Sequence, residues 1–300
     1  MQPGAIEHGG KLDDTESAAT IVLRAERDGR PRRDANVPIE TSDRRMTASS
    51  KSPVALITGA GSGIGLACAR RFAAAGYALA LLDIDQTAVE TASHSIRESG
   101  AEVLPLVGSV ADEAVVEGAV EAAEQTLGPV RLLINSAGIA SNKPTFELSL
   151  DDWERVVSIN LTGTFLVSRV VGARMAARGR GVILNLGSMF GTVAAPRRAG
   201  YCGTKAGVDM LGRVLAIEWA EHGIRVNTIA PGYVRTPFVD DLIAAGRMDE
   251  PALLGRTPMK RMAAPEEIAD LAIFLASDAA AFITGQTIGI DGGWTAYGYV

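Results

Sequence analysis

The chain has 300 residues, 47% hydrophobic and 21% charged, with a formal net charge of −6. This balance excludes a disordered or collagen-like chain, and the negative charge offers no footing for nucleic acid or an anionic membrane surface. Two cysteines, Cys68 and Cys202, are too few for a disulfide framework and fit a reducing compartment, the cytoplasm.

Residues 1–50 mix arginines with Asp28, Asp34, Glu40, Asp43 and turn formers, and their one apolar run, 18–23, is too short for a signal core or a membrane span. A flexible extension is expected there, with one domain over 51–300; Met46, just ahead of it, is a second candidate translation start. From Pro53, β-branched runs alternate with amphipathic stretches, the pattern of βαβ units. The runs are "VALIT", "ALALLD", "EVLPLV", "RLLIN", "GVILNLG", "IRVNTIA" and "QTIGI". Helices are expected over 64–75, 87–99, 113–127, 151–177, 204–221 and 265–276. Ser149 three residues before Asp152 reads as a capping box. Proline then acids open the last of these helices. Segment 234–262 fits the pattern worst and reads as a mobile loop with short helices. The fold class that follows is α/β, a single-domain Rossmann-type doubly wound seven-stranded parallel sheet with helices on both faces.

In "VALITGAGSGIG" a strand runs into Gly59, Gly61, Gly63 and Gly65, and a helix follows. Glycines let the backbone approach a pyrophosphate, and a helix N-terminus offers it free N–H groups. An ordinary turn is the bland alternative, but the flanking strand and helix and a properly spaced acid favour a dinucleotide site. That acid is Asp83, which ends the second strand. A carboxylate there accepts from ribose hydroxyls and repels a 2′-phosphate, so it selects NAD over NADP.

Tyr201 and Lys205 stand one helical turn apart in "YCGTK". An ammonium beside a phenol, in a partly dehydrated cleft next to a positively charged nicotinamide, is expected to lower the phenol pKa and make it a usable acid/base; a half-exposed Tyr and a solvated Lys are the bland alternative. Ser188 ends a strand at the ligand-binding edge and can hold a substrate oxygen near Tyr201. "NSAG", residues 135–138, reaches the same edge. Asn160, a mediocre helix residue, is either a surface amide or the holder of a water in a proton relay. The three histidines stand isolated and no cluster has metal-ligand spacing, so no metal is expected.

Taken together in this order, TGAGSGIG, Asp83, NSAG, Asn160, Ser188, the Y-x-x-x-K of Tyr201 and Lys205, and "PGYVRT" resemble the short-chain dehydrogenase/reductase family from residue 53 to 299. The resemblance implies a homotetramer, or a homodimer, with the helices of Asn160 and Tyr201 buried against a twin subunit. It implies an Asn160–Ser188–Tyr201–Lys205 tetrad in which Tyr201 is the general acid/base and Ser188 orients the reacting oxygen. Lys205 binds nicotinamide-ribose hydroxyls and lowers the tyrosine pKa, and Asn160 secures a water. The implied cofactor contacts are Gly59, Ser62, Gly63, Ile64 through its backbone, Gly65, Asp83, Ser109, Val110, Asn135, Ala137 and Gly138. Tyr201, Lys205, Pro231, Gly232, Val234 and Thr236 complete them. The family's usual aspartate-valine after the third strand is here Ser109 and Val110, so adenine is held more weakly or differently; Ser136 for a second asparagine is a milder departure.

The substrate is expected to be a small hydroxylated or carbonyl compound, bounded by Ser188, Met189, Phe190, Tyr201 and Tyr233. Similarity of "NSAGIA", "NLGSM" and "DGGWTA" to members acting on polyols, sugars or sugar acids points to those classes. Two rivals stand beside it. One is a 3-oxoacyl-[acyl-carrier-protein] reductase, whose carrier a basic surface of Arg174, Arg197 and Arg198 would meet. The other is a catalytically inactive dinucleotide-sensing scaffold. The aromatic C-terminal "GGWTAYGYV" suggests contact with a neighbouring subunit.

Overall fold

A computed structural model describes residues 52–298. The extension over 1–50, the start at Met46 and the last two residues lie outside the described residues. Seven strands, β1 (Val54–Thr58), β2 (Ala78–Asp83), β3 (Val103–Val107), β4 (Val130–Asn135), β5 (Gly181–Leu186), β6 (Ile224–Pro231) and β7 (Thr287–Ile290), form one sheet in the order β3-β2-β1-β4-β5-β6-β7. Every pairing is parallel.

Alternation along the strands divides the core in two. Ala55 and Ile57 of β1 face α1 (Gly63–Ala74), α2 (Gln86–Arg97) and α9 (Pro265–Ala276), where Phe72, Val89 and Ile268 are fully buried. Val54 and Leu56 face the other way, toward α3 (Glu113–Thr126), α5 (Gly163–Ala177) and α6 (Ala199–Trp219), meeting Val116, Val171 and Leu215. Strand order reverses between β1 and β4, which opens a crevice at the C-terminal edge, where this architecture binds ligands.

Three elements depart from the sequence expectation. The run 151–177 is not one α-helix: α4 (Leu150–Val157) passes through a π-turn, Ser158–Thr162, into α5. The extra residue in that turn redirects Asn160 inward, and the Thr164 hydroxyl donates to its carbonyl at 2.8 Å. Next, α6 begins at Ala199 rather than 204, so Tyr201 already lies inside the helix. Finally, the Ser149 hydroxyl accepts from the Asp152 N–H at 3.1 Å, but the Asp152 carboxylate takes the Ser149 hydroxyl and Lys143, not the backbone N–H a capping box requires. The reciprocal bond appears instead at α9, where the Glu267 carboxylate accepts from the Ala264 N–H at 2.8 Å.

Segment 234–262 holds α7 (Pro237–Ala244) and α8 (Glu250–Arg256). Its two ends are joined by a parallel bridge between Val234 and Ala263. The stretch Leu150–Ala177 is long and apolar enough to cross a membrane by composition, yet half of it is buried inside the fold.

Candidate active site

The glycine loop is compact because it has no room for side chains. A Cβ on Gly65 would stand 2.1 Å from the Gly59 carbonyl oxygen, and one on Gly59, whose φ is +63°, would lie 2.8 Å from the Ala137 backbone. The Thr58 hydroxyl accepts from the N–H groups of Ser136 and Ala137, both at 3.1 Å, and so ties NSAG to the end of β1. Behind the loop, the first turn of α1 carries no acid and its N-cap, Ser62, caps nothing with its hydroxyl. The helix N-terminus is thereby left for an external anion.

Two cavities adjoin here. One of about 270 Å³ is lined by Gly59, Ser62, Asp83, Ser109, Val110 and Ala137. The other, of about 620 Å³, contains Ile64, Ser188, Tyr201, Lys205, Val234 and Thr236. Ser136, Gly138 and Ile139 line both, which makes them two halves of one elongated crevice. The Asp83 carboxylate accepts from Gly61 N–H at 2.8 Å and from Asp85 N–H at 3.0 Å, fixing it at the rim. An extended dinucleotide fits this arrangement: close-approach glycines and an open helix end for its phosphates, with a carboxylate at one end for a ribose. When bound, a nicotinamide supplies hydride transfer.

At the other end α6 and β5 meet. The Lys205 ammonium is buried and donates to the Leu186 carbonyl at 2.6 Å, within 5.7 Å of the Tyr201 ring centre. Burial lowers its pKa to about 8, and the Asp209 carboxylate one turn further along works against that fall. The Ser188 hydroxyl accepts from the Phe190 N–H at 3.1 Å and stands close enough to the Tyr201 phenol to draw its pKa down. The Asn160 amide grips Ile139, its Oδ1 accepting from the N–H at 2.8 Å and its Nδ2 donating to the carbonyl at 3.0 Å. Nδ2 also reaches the Thr204 hydroxyl at 3.3 Å. A Cβ on Gly138 would lie 3.3 Å from Asn160 Oδ1 and 3.7 Å from Lys205 Nζ, so all three groups crowd one point.

Several of these residues stand in surroundings that their sequence neighbours do not disclose. Burial raises the Tyr201 pKa above 10.0 in the protein alone; the Ser188 hydroxyl and the Arg198 charge oppose this without overcoming it. Asn135 is absent from both cavity linings and buried, its amide donating to Ser168 and Asn185, each at 2.9 Å. Ser109 lines the smaller cavity, but its hydroxyl accepts from Ala111 N–H at 3.2 Å. The aromatic C-terminus meets its own chain: Trp294 packs on Tyr233 at 5.3 Å, and Arg256 donates to the carbonyls of Trp294 and Tyr297. Arg174 pairs with Glu124 at 3.3 Å. Pro231, Gly232, Met189 and Phe190 line the large cavity, and Gly63 lies on the loop facing Thr236. The sequence reading missed Thr58, Ile139, Thr204 and Asp209. Asp209 announces itself only in three dimensions, since a Cβ on Gly187 or on Gly191 would come within 2.6 Å of one of its two carboxylate oxygens. It thus fills the notch between the two ends of the turn that carries Ser188.

The profile of a family described as "Enoyl-(Acyl carrier protein) reductase" matches residues 59–295. The D-threitol dehydrogenase of Mycolicibacterium smegmatis is 43% identical over 81% of this chain and 92% of its own length. The chain belongs to the short-chain dehydrogenase/reductase family. Among other members, the galactitol 2-dehydrogenase (L-tagatose-forming) of Cereibacter sphaeroides is 44% identical over 81% of this chain and 95% of its own. The crystal structure of levodione reductase superposes with a TM-score of 0.78 at 36% identity, covering 82% of this chain and 98% of that one. Its relatives are dehydrogenases of CH–OH groups, which makes the chain a short-chain oxidoreductase, and membership of the family implies a nicotinamide dinucleotide as cofactor. Among the described residues no group of His, Cys, Asp or Glu has the arrangement of a metal site.

The buried ammonium has a linkage signature. The folded pKa of Lys205, about 8, lies below its ordinary 10.5, so between these values the unfolded chain binds more protons and stability rises with pH. The stabilising contribution is full above 10.5 and is lost as pH falls to about 8. Urea unfolding of wild type and Lys205→Met across this range is expected to give a stability difference that is flat below about pH 8 and moves in favour of wild type above it. A difference independent of pH throughout would place the ammonium in solvent.

Proposed function

We propose that the protein is an NAD-dependent dehydrogenase that interconverts a secondary alcohol and its ketone, on a polyol, sugar or sugar acid. The observation that carries this reading is the convergence of Ser188, Tyr201 and Lys205 on a cavity continuous with the glycine loop. Ser188 holds the reacting oxygen against the Tyr201 phenol, which takes the hydroxyl proton in oxidation and returns it in reduction. Lys205 carries positive charge toward the same point, and Asn160 fixes the Ile139 backbone and is the candidate holder of a relay water. Burial raises the phenol in the protein alone, so the phenolate depends on positive charge brought in with the oxidised cofactor.

Two further observations support the finer assignments. The smaller cavity is lined by Asp83 and by neither lysine nor arginine, which favours NAD over its 2′-phosphorylated counterpart. The relatives named for threitol and galactitol, and a gluconate 5-dehydrogenase of Gluconobacter oxydans at 36% identity, support polyols and sugar acids. A 3-oxoacyl reductase is the second reading, favoured by the fold of the NADPH-bound actinorhodin polyketide ketoreductase at TM-score 0.79 and 33% identity. The pairing of Arg174 with Glu124 weakens it, as does Asp83. An inactive scaffold is weakened as a reading by the intact Asn160, Ser188, Tyr201 and Lys205 set, in which Asn160 and Lys205 are buried and hydrogen-bonded. We further infer a homo-oligomer, a tetramer or dimer, because Met210 and Ile217 of α6 and Trp153 and Phe165 of α4 and α5 leave apolar surface exposed on the helices that carry Tyr201 and Asn160; two unpaired cysteines suit the cytoplasm.

Tyr201→Phe is expected to lower kcat by about 10²–10⁴-fold, the range of general acid/base catalysis. NAD affinity measured by calorimetry should be nearly unchanged; equal turnover would remove the proposed base. Asp83→Asn keeps an acceptor for the Gly61 N–H but loses the charge, so the NAD/NADP ratio of kcat/KM should fall by about tenfold or more, equivalent to roughly 1.4 kcal/mol. An unchanged ratio would assign cofactor choice elsewhere.

A further inference from the structure

The substrate end of the large cavity is basic in a protein whose net charge is −6. Lys143, Arg155, Arg198 and Arg247 line it against a single acid, Asp152. Asp152 answers Lys143 at 2.5 Å and Arg155 at 3.7 Å. Arg198 and Arg247 have no carboxylate partner among the described residues.

Arg198 is the one placed to read a substrate. Its guanidinium lies over the Phe190 ring, 5.1 Å from the centre, and Phe190 packs edge-on against both Tyr201 and Tyr233, at 6.4 and 6.2 Å. Its charge favours the phenolate of both tyrosines, so it acts across the same space in which Ser188 and Tyr201 meet. It stands at the N-cap position of α6, where a guanidinium, a donor only, has no capping role to fill. Immediately before it, Arg197 adopts φ +68°, a left-handed conformation that a non-glycine side chain rarely takes. Such strain persists where the surrounding structure holds a functional group in place. The cofactor does not account for this cation, because the loop and helix end that suit its phosphates lie at α1.

We propose that Arg198 binds a carboxylate on the substrate, so that hydroxylated acids of the sugar-acid type are preferred over neutral polyols. The proposal rests on the reading of this site as a polyol or sugar-acid dehydrogenase and chooses within it. A planar guanidinium meets a carboxylate through two parallel N–H···O bonds. A half-buried guanidinium facing a neutral polyol keeps no such partner, which costs binding. The acid is thus held at a fixed distance from the Tyr201 phenol, selecting which hydroxyl reaches it.

The test compares matched pairs, galactitol with galactonate and threitol with threonate, by NAD reduction in wild type, Arg198→Gln and Arg198→Lys. Thermal midpoint and NAD affinity monitor folding. The expected result is that wild type prefers the acid of a pair by about tenfold or more in kcat/KM, the size of one charge-assisted contact. Arg198→Gln should lower kcat/KM for the acid at least about tenfold more than for the neutral partner, chiefly through KM, and Arg198→Lys should recover part of it. The KM for the acid in wild type should rise with added salt, a readout that needs no variant. Turnover of the neutral polyols with no preference for acids, or equal losses on both in Arg198→Gln, would overturn the carboxylate site and leave the dehydrogenase reading standing. No turnover of either class by a folded, NAD-binding wild type would overturn both.

Discussion

An ammonium inside a protein is tolerated only where something polar is fixed to receive it, and here that receiver is the Leu186 carbonyl at the end of β5. This single contact joins the helix of Tyr201 to the strand that delivers Ser188. The carbonyl is free to accept because β5 ends at the sheet's C-terminal edge, and the lysine reaches it because α6 packs along β6 and β5. Asp209, one turn further on, answers the same buried charge and occupies the notch beside the Ser188 turn. Its own carboxyl is raised to about 6 by burial. Two ionisable groups held part-way out of their charged states are the electrostatic cost of placing a phenol, a hydroxyl and an ammonium at one spot.

The other half of the crevice is organised by steric contact. Gly59 and Gly65 bring two stretches of backbone closer than any side chain permits, and the Thr58 hydroxyl fastens the NSAG turn over them. The two halves are linked through Gly138 and Ile139, which the Asn160 amide holds from the opposite side. The π-turn is what makes this possible. In an uninterrupted helix Asn160 would follow the 3.6-residue period; with one residue more in the turn, its amide meets a backbone segment it could not otherwise face.

Much of this was legible in the sequence because it depends on local pattern. Seven strands, their alternation with helices and the glycine loop follow from periodicity and from the lack of space for a side chain. Tyr201 and Lys205 were readable from their spacing, since one helical turn always brings i and i+4 to one face. What stayed hidden depends on contacts between distant segments. Nothing local in "ERVVSINLTG" distinguishes a π-turn from an α-helix. Asp209 looks like an ordinary acid on an amphipathic helix until Gly187 and Gly191 are seen to close on it. The tyrosine shift in the protein alone is hidden for the same reason: neighbouring charge is visible in sequence, whereas the depth of burial that outweighs it before the cofactor binds is set by the whole fold. Asn135 was misplaced because the strand end it occupies turns its amide toward α5 and β5 rather than toward the crevice.

The bridge between Val234 and Ala263 joins the two ends of the excursion that carries α7 and α8. With its ends pinned side by side, that roof can change in length at its outer turns at little entropic cost, provided it keeps the bonds by which Arg256 and Met259 tie it to the chain after β7. Exchanging a roof between relatives therefore means carrying its partner stretch at the chain's end along with it, so that the two travel as one unit that recasts the shape of what is admitted above Tyr201.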